Sequence, residues 1–142
     1  MTPTPHLGLP RWARWLFTLA FFGAVGALIL SQLPRGAYPT DLSRVGKGRA
    51  ALVLAYDINT LGGMSVMRLM DAVRGEYAGR VEFLVAPLGE PGGSGFARRF
   101  DAGSGSVMLF SASGSHLLTM HGPADADTLR GALDQALSVQ VR

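Results

Sequence analysis

Few side chains in this 142-residue sequence could do chemistry. There is no cysteine, so thiolate nucleophiles and thiol–disulfide exchange are excluded. Thr60 follows Asp57 by three residues, and a hydroxyl becomes a nucleophile only beside a base. Without one, Thr60 reads as the cap or first turn of a helix. His116, Met120 and His121, with Met64, Met67 and Met70, are soft donors of the kind Cu(I) takes. On a strand, His116 and Met120 share one face and His121 the other, which breaks a three-ligand set. Met67 and Met70 at helical spacing read as core or docking filler. The glycine-rich runs at 89–95 and 103–105 lack the Lys-Ser/Thr of a phosphate loop and read as flexible loops. Paired carboxylates and metal-ligand spacing are missing as well, so no catalytic residue, metal or cofactor is expected.

The elements that would position these residues follow from periodicity. Ala50 to Ile58 is a short apolar run of buried-strand type. A loop through Asn59, Thr60, Leu61, Gly62 and Gly63 leads to a helix from about Met64 to Tyr77. Val66, Leu69, Met70, Val73 and Tyr77 line its apolar face, and Ala78-Gly79 ends it. Val81 to Ala86 is a second strand. Glu90 to Gly95 reads as a loop, and Phe96 to Phe100 as one or two helical turns. Ser106 to Ser111 and His116 to His121 form a hairpin around a turn at 112–115. A last helix starts at Asp125, its N-cap, and runs to about Leu137 with Leu129, Leu133, Ala136 and Leu137 inward. The order is β-α-β-α-β-β-α, an α/β domain with a parallel crossover unit followed by a hairpin and a covering helix.

Ahead of this domain lies a hydrophobic segment. From Trp15 to Leu30 there is no charge and Thr18 is the only hydroxyl; extension to Leu33 adds Ser31 and Gln32. Nineteen helical residues span about 28 Å, the hydrocarbon thickness of a bilayer. Arg11, Trp12, Arg14 and Trp15 suit one membrane interface, and Arg35 the other. No small-residue cleavage pattern follows the run, so a retained transmembrane helix is expected rather than a removed signal peptide. Ala20 with Ala24, and Gly23 with Ala27, form small-residue faces against which another helix could pack. The chain therefore divides into an N-terminal arm (1–14, with three prolines in its first ten residues), the span (15–33), a Pro/Gly/Arg linker (34–48) and the α/β domain (49–142).

The net charge of +3 is no nucleic-acid signal. From Asp41 on, ten basic residues balance ten acidic ones, and the excess is Arg11, Arg14 and Arg35 beside the span, where anionic lipid explains it. Twelve arginines to one lysine suggest a GC-rich bacterial genome.

From Leu52 to Leu137 the order and loop lengths resemble thioredoxin. The run DAVRGEYAGRVEF (71–83) is similar to that family's acidic-aromatic helix end, glycine and central strand, and HGPADADTLRGAL (121–133) to its final turn and helix. The resemblance implies the thioredoxin-like sandwich and also implies that its chemistry is gone. The Cys-Gly-Pro-Cys motif falls on Thr60, Leu61, Gly62 and Gly63, the preceding tryptophan on Asn59, the buried aspartate on Leu54, and the cis-proline on or near Gly105.

These readings together predict a non-catalytic accessory subunit that docks to, and stabilises, an integral membrane protein complex, such as a respiratory or photosynthetic electron-transfer assembly. The alternative is a transient binding module or chaperone for extended polypeptides in cell-envelope assembly. The expected partners are that complex and the lipid bilayer, with no nucleic acid and no small-molecule substrate. Counted over both flanks, with Arg11 and Arg14 before the span and Arg35, Arg44, Lys47 and Arg49 after it, the basic residues leave a cytoplasmic domain open, whereas those closest to the span are Arg11 and Arg14 on one side against Arg35 alone on the other. Resemblance to anchored bacterial thioredoxin-like proteins then implies a single-pass inner-membrane protein with a periplasmic domain.

Overall fold

A computed structural model describes residues 10–32 and 37–140. They form two bodies, a long helix and a domain that begins at Tyr38. The helix, α1, runs Arg11–Gln32. Pro10 opens it, its carbonyl accepting from the Ala13 N–H at 2.9 Å, as suits a residue with fixed φ at a helix start. Arg11 to Arg14, expected in the arm, are therefore helical. Its large apolar side chains are exposed, Trp15 and Phe17 by 74% and 70%. α1 is long and apolar enough to cross a membrane, a property that anchors and signal sequences share.

The domain is built on a four-stranded sheet. In chain order it contains β1 (Ala50–Tyr56), α2 (Leu61–Arg74), β2 (Val81–Pro87), α3 (Pro91–Arg99), β3 (Ser106–Phe110), β4 (His116–His121) and α4 (Ala126–Gln140). The sheet order is β2-β1-β3-β4. β1 pairs parallel to β2 and antiparallel to β3, and β3 pairs antiparallel to β4. β1 is a continuous apolar run because both its faces are covered. Leu52 and Leu54 meet Val66, Met70 and Val73 of α2 and Leu129 and Leu133 of α4. Ala51, Val53 and Ala55 face Phe96 and Ala97 of α3. Asp125 caps α4, its carboxylate accepting the Thr128 N–H at 2.7 Å.

Four expectations need correction. Gly62 and Gly63 lie in the first turn of α2, which starts at Leu61 and ends at Arg74. Tyr77 lies beyond that end, buried in the following turn, with its hydroxyl donating to Asp134 at 2.7 Å. The run Pro91 to Gly95 is helical rather than a loop. One of its glycines serves packing: a Cβ on Gly93 would stand 2.1 Å from the Pro87 carbonyl oxygen, so only glycine at that position lets α3 lie this close to β2. Finally, residues 38–48 are part of the domain. Tyr38 is in the core, its hydroxyl 2.5 Å from Asp71 and its ring 4.5 Å under the Arg74 guanidinium. The Val85 N–H donates to the Pro39 carbonyl at 3.0 Å, so this strap covers the outer edge of β2.

Candidate functional site

The site assembles where β1 hands over to α2. Thr60 occupies the N-cap with extended backbone (φ −118°, ψ 135°), but its side chain does not cap the helix. Its hydroxyl donates instead to the Asp57 carbonyl at 3.1 Å and pairs with the Ser104 hydroxyl. Ser104 in turn accepts the Asp57 N–H at 3.3 Å. The Asp57 carboxylate is occupied locally, accepting the Asn59 N–H at 2.9 Å and its side-chain amide at 3.1 Å. Thr60 thus has hydroxyl and carbonyl neighbours and no base. It joins two loops 44 residues apart, which is a structural task.

Gly105 meets the start of α2 from the opposite side. Its φ is +84°, and a Cβ there would lie 3.1 Å from the Gly62 carbonyl carbon. The described residues include no cis peptide bond. The Gly105 N–H donates to the Ala55 carbonyl at 2.9 Å, and its carbonyl accepts the Gly122 N–H at 3.2 Å. A Cβ on Gly63 would stand 2.8 Å from the Tyr56 ring, so a side chain there would have to displace that ring. Leu54 is fully buried among apolar neighbours. The positions Leu54, Asn59, Thr60, Leu61, Gly62, Gly63 and Gly105 therefore converge, apart from Leu54 in the core beneath, on one patch without an acid–base pair.

What this patch presents to solvent is apolar. Ile58 and Leu61 are 76% and 78% exposed, and Met64 is partly exposed one turn further on. Sequence reasoning had no signal for Ser104 or Tyr56, which matter here only through contacts across the fold.

The histidines lie elsewhere and apart from the methionines. A bulge between Leu109 and Phe110 shifts the register of β4. His116 consequently stacks on Phe100 at 4.8 Å and bonds Thr119 at 2.8 Å, on the α3 side. Met120 packs against the opposite core, so the expectation that it shares a face with His116 is wrong. His121 bonds the Ser106 hydroxyl at 3.0 Å. No metal-binding cluster occurs among the described residues.

On α1, Arg11, Trp12, Arg14 and Trp15 gather at its N-terminal end and are exposed. Ala20, Gly23, Ala24 and Ala27 are exposed as well, with nothing within 4 Å of a Cβ placed on Gly23. Arg35 and Leu33 lie outside the described residues, as do residues 1–9 of the arm.

No protein-family model and no curated protein matches the chain. Solved structures do. An uncharacterised thioredoxin-like protein from Clostridium perfringens superposes with a TM-score of 0.62 at 14% identity, over 68% of this chain and 78% of its own. A malarial protein superposes with a TM-score of 0.54 at 16% identity, over 63% of this chain and 98% of its own. The fold is thioredoxin-like. With no cysteine in the chain, this version of the fold performs no thiol–disulfide exchange.

Proposed function

We propose that the protein is a non-catalytic, membrane-anchored accessory subunit whose thioredoxin-like domain docks onto a larger membrane protein complex and stabilises it. The observation that carries this reading is the exposed Ile58–Leu61–Met64 patch, set beside Thr60, whose hydroxyl is bonded to Asp57 and Ser104. Exposed apolar residues clustered at one end of a domain mark an interaction site, and large side chains flanked by glycine backbone leave a partner room to approach. α1 supports the anchoring, and its uncovered small-residue face suits a partner helix within the bilayer. The anchor is a retained span, in the bacterial inner membrane, with the domain in the periplasm. Respiratory and photosynthetic electron-transfer assemblies are hosts of the required kind. The groove-binding chaperone reading is weaker, because the Gly105 N–H and carbonyl are already paired and cannot add a peptide strand.

The test is purification from native membranes in mild detergent, with size exclusion and mass spectrometry of what remains bound. A stoichiometric large complex, lost in the Ile58→Ser/Leu61→Ser variant, supports the reading. A free monomer overturns it, and a reporter fused after Arg142 that is active only in the cytoplasm overturns the periplasmic placement.

A further inference from the structure

The turn between the strap and β1 carries three cations. Arg44, Lys47 and Arg49 line a cleft of about 240 Å³ whose fourth wall is Glu82. Arg44 bridges the Glu82 carboxylate, and an Arg49 nitrogen lies 3.7 Å from its other oxygen. Lys47 makes no ion pair with the described residues. Local geometry holds this turn in place. Asp41 caps the short 3-10 segment Leu42–Arg44 through the Ser43 N–H at 3.1 Å. Gly46, at φ +81°, sits against Gly114, where a Cβ would come within 3.1 Å of that residue's Cα. The Gly48 N–H donates to the Ala112 carbonyl at 3.1 Å. The cations are therefore presented by a turn fixed to the β3–β4 hairpin.

Charge is unevenly distributed around them. No acidic residue occurs from Leu42 to Tyr56. With Asp41 and Glu82 counted at the turn, it holds three cations against two carboxylates, while the rest of the domain from Asp57 on holds seven arginines against eight carboxylates. An anionic surface would attract the domain at this turn and repel it elsewhere. Residues 33–37 alone separate the last residue of α1 from the domain, a tether of about 20 Å at full extension.

We propose that the Arg44–Lys47–Arg49 cleft seats the phosphate of an anionic phospholipid in the membrane that α1 spans, holding the domain against the headgroups. The inference rests on the anchored reading above. Guanidinium forks bind phosphate oxygens in pairs, and Glu82 orients both guanidinium groups while leaving the turn with a net positive charge.

The absence of cysteine allows a direct test on the full chain in lipid nanodiscs. A Ser113→Cys substitution beside the turn takes a single environment-sensitive dye, and a lipid-phase quencher reports its approach to the bilayer. Quenching is expected in discs of phosphatidylcholine mixed with phosphatidylglycerol, weakening as salt is added, and not in phosphatidylcholine alone. Near-surface cations contribute about fivefold each to partition, so Arg44→Gln/Lys47→Gln/Arg49→Gln lowers the docked-to-undocked ratio roughly a hundredfold. Glu82→Gln, which removes the opposing carboxylate, raises it. Equal quenching in both lipids, or an unaffected triple variant with intact tyrosine near-UV dichroism, overturns the proposal. Release by inorganic phosphate at matched ionic strength assigns the cleft to free anions and also overturns it. A chain that is stripped from membranes by alkaline carbonate overturns the anchored reading itself. A chain that stays in the disc without lipid-dependent quenching overturns only the cleft.

Discussion

Replacing Gly93 with alanine adds one methyl group, and the structure says this is severe. The new Cβ would lie 2.1 Å from the Pro87 oxygen, 2.6 Å from its nitrogen and 2.7 Å from its carbonyl carbon. Ordinary contacts of this kind are near 3.4 Å, so α3 must retreat from β2 by about 1 Å. The obstacle is strand backbone, so no rotamer change relieves it. Retreat loosens Phe96 and Ala97 from Leu84 and Ala86. Overpacking against an immovable neighbour, plus the lost contacts, costs about 3 kcal/mol or more. Gly95 in the same helix and Gly131 in α4 have nothing within 4 Å of an added Cβ. Alanine at either should stabilise by about 0.5–1 kcal/mol through helix propensity. All three tyrosines lie in the domain and both tryptophans in α1, so tyrosine near-UV dichroism of the full chain in detergent follows domain unfolding alone. With a urea dependence of about 1 kcal/mol per molar, Gly93→Ala should lower the midpoint by about 3 M or more while Gly95→Ala raises it by about 0.5–1 M. A Gly93→Ala midpoint at or above that of the wild type would falsify the account of why glycine stands at position 93.

Three further outcomes follow. Gly105→Ala forces a side chain to φ +84° and against Gly62, and should cost about 2 kcal/mol in the same assay without changing the sheet. Leu54→Asp places an acid beneath the helix start but buries it among apolar groups; a loss of about 3 kcal/mol or more is expected, and near-wild-type stability would contradict the observed burial. Burial, then the hydrogen bond to Asp134, pushes the Tyr77 phenol up to about 12 from the usual 10.0. A raised folded-state value means that this contribution is complete below pH 10 and is lost as pH climbs toward 12. Tyr77→Phe should lower stability at neutral pH and flatten the alkaline limb of a stability–pH curve, and an unchanged alkaline slope would count against the assignment.

The strands were legible because β1 and β2 are buried on both faces and so appear as unbroken apolar runs. α4 was legible through its Asp125 cap and helical period. α3 was not, since a proline followed by three glycines in four residues reads as a loop to any local rule. Gly93 permits that segment's close seat on Pro87, a contact invisible in the sequence. The register of β4 was misread for a similar reason: the bulge beside Phe110 is set by the fit of the hairpin to the sheet, and it separates His116 from Met120. The strap at Tyr38 looked like a linker because its composition is one, while its partners, Asp71, Arg74 and Val85, lie more than thirty residues away.

Composition by itself removed thiol chemistry, because a missing atom cannot be supplied by folding. Periodicity by itself set the order of elements and the apolar length of α1, since both depend on near neighbours along the chain. Tertiary structure alone decided the character of the site. Thr60 is silenced by Ser104, and Gly105 fits against Gly62; both contacts join residues more than forty positions apart. Ile58 and Leu61 face solvent while Leu52 and Leu54 are fully buried. Which apolar residues a fold leaves outside depends on how its surfaces close, and closure is a property of the packed whole.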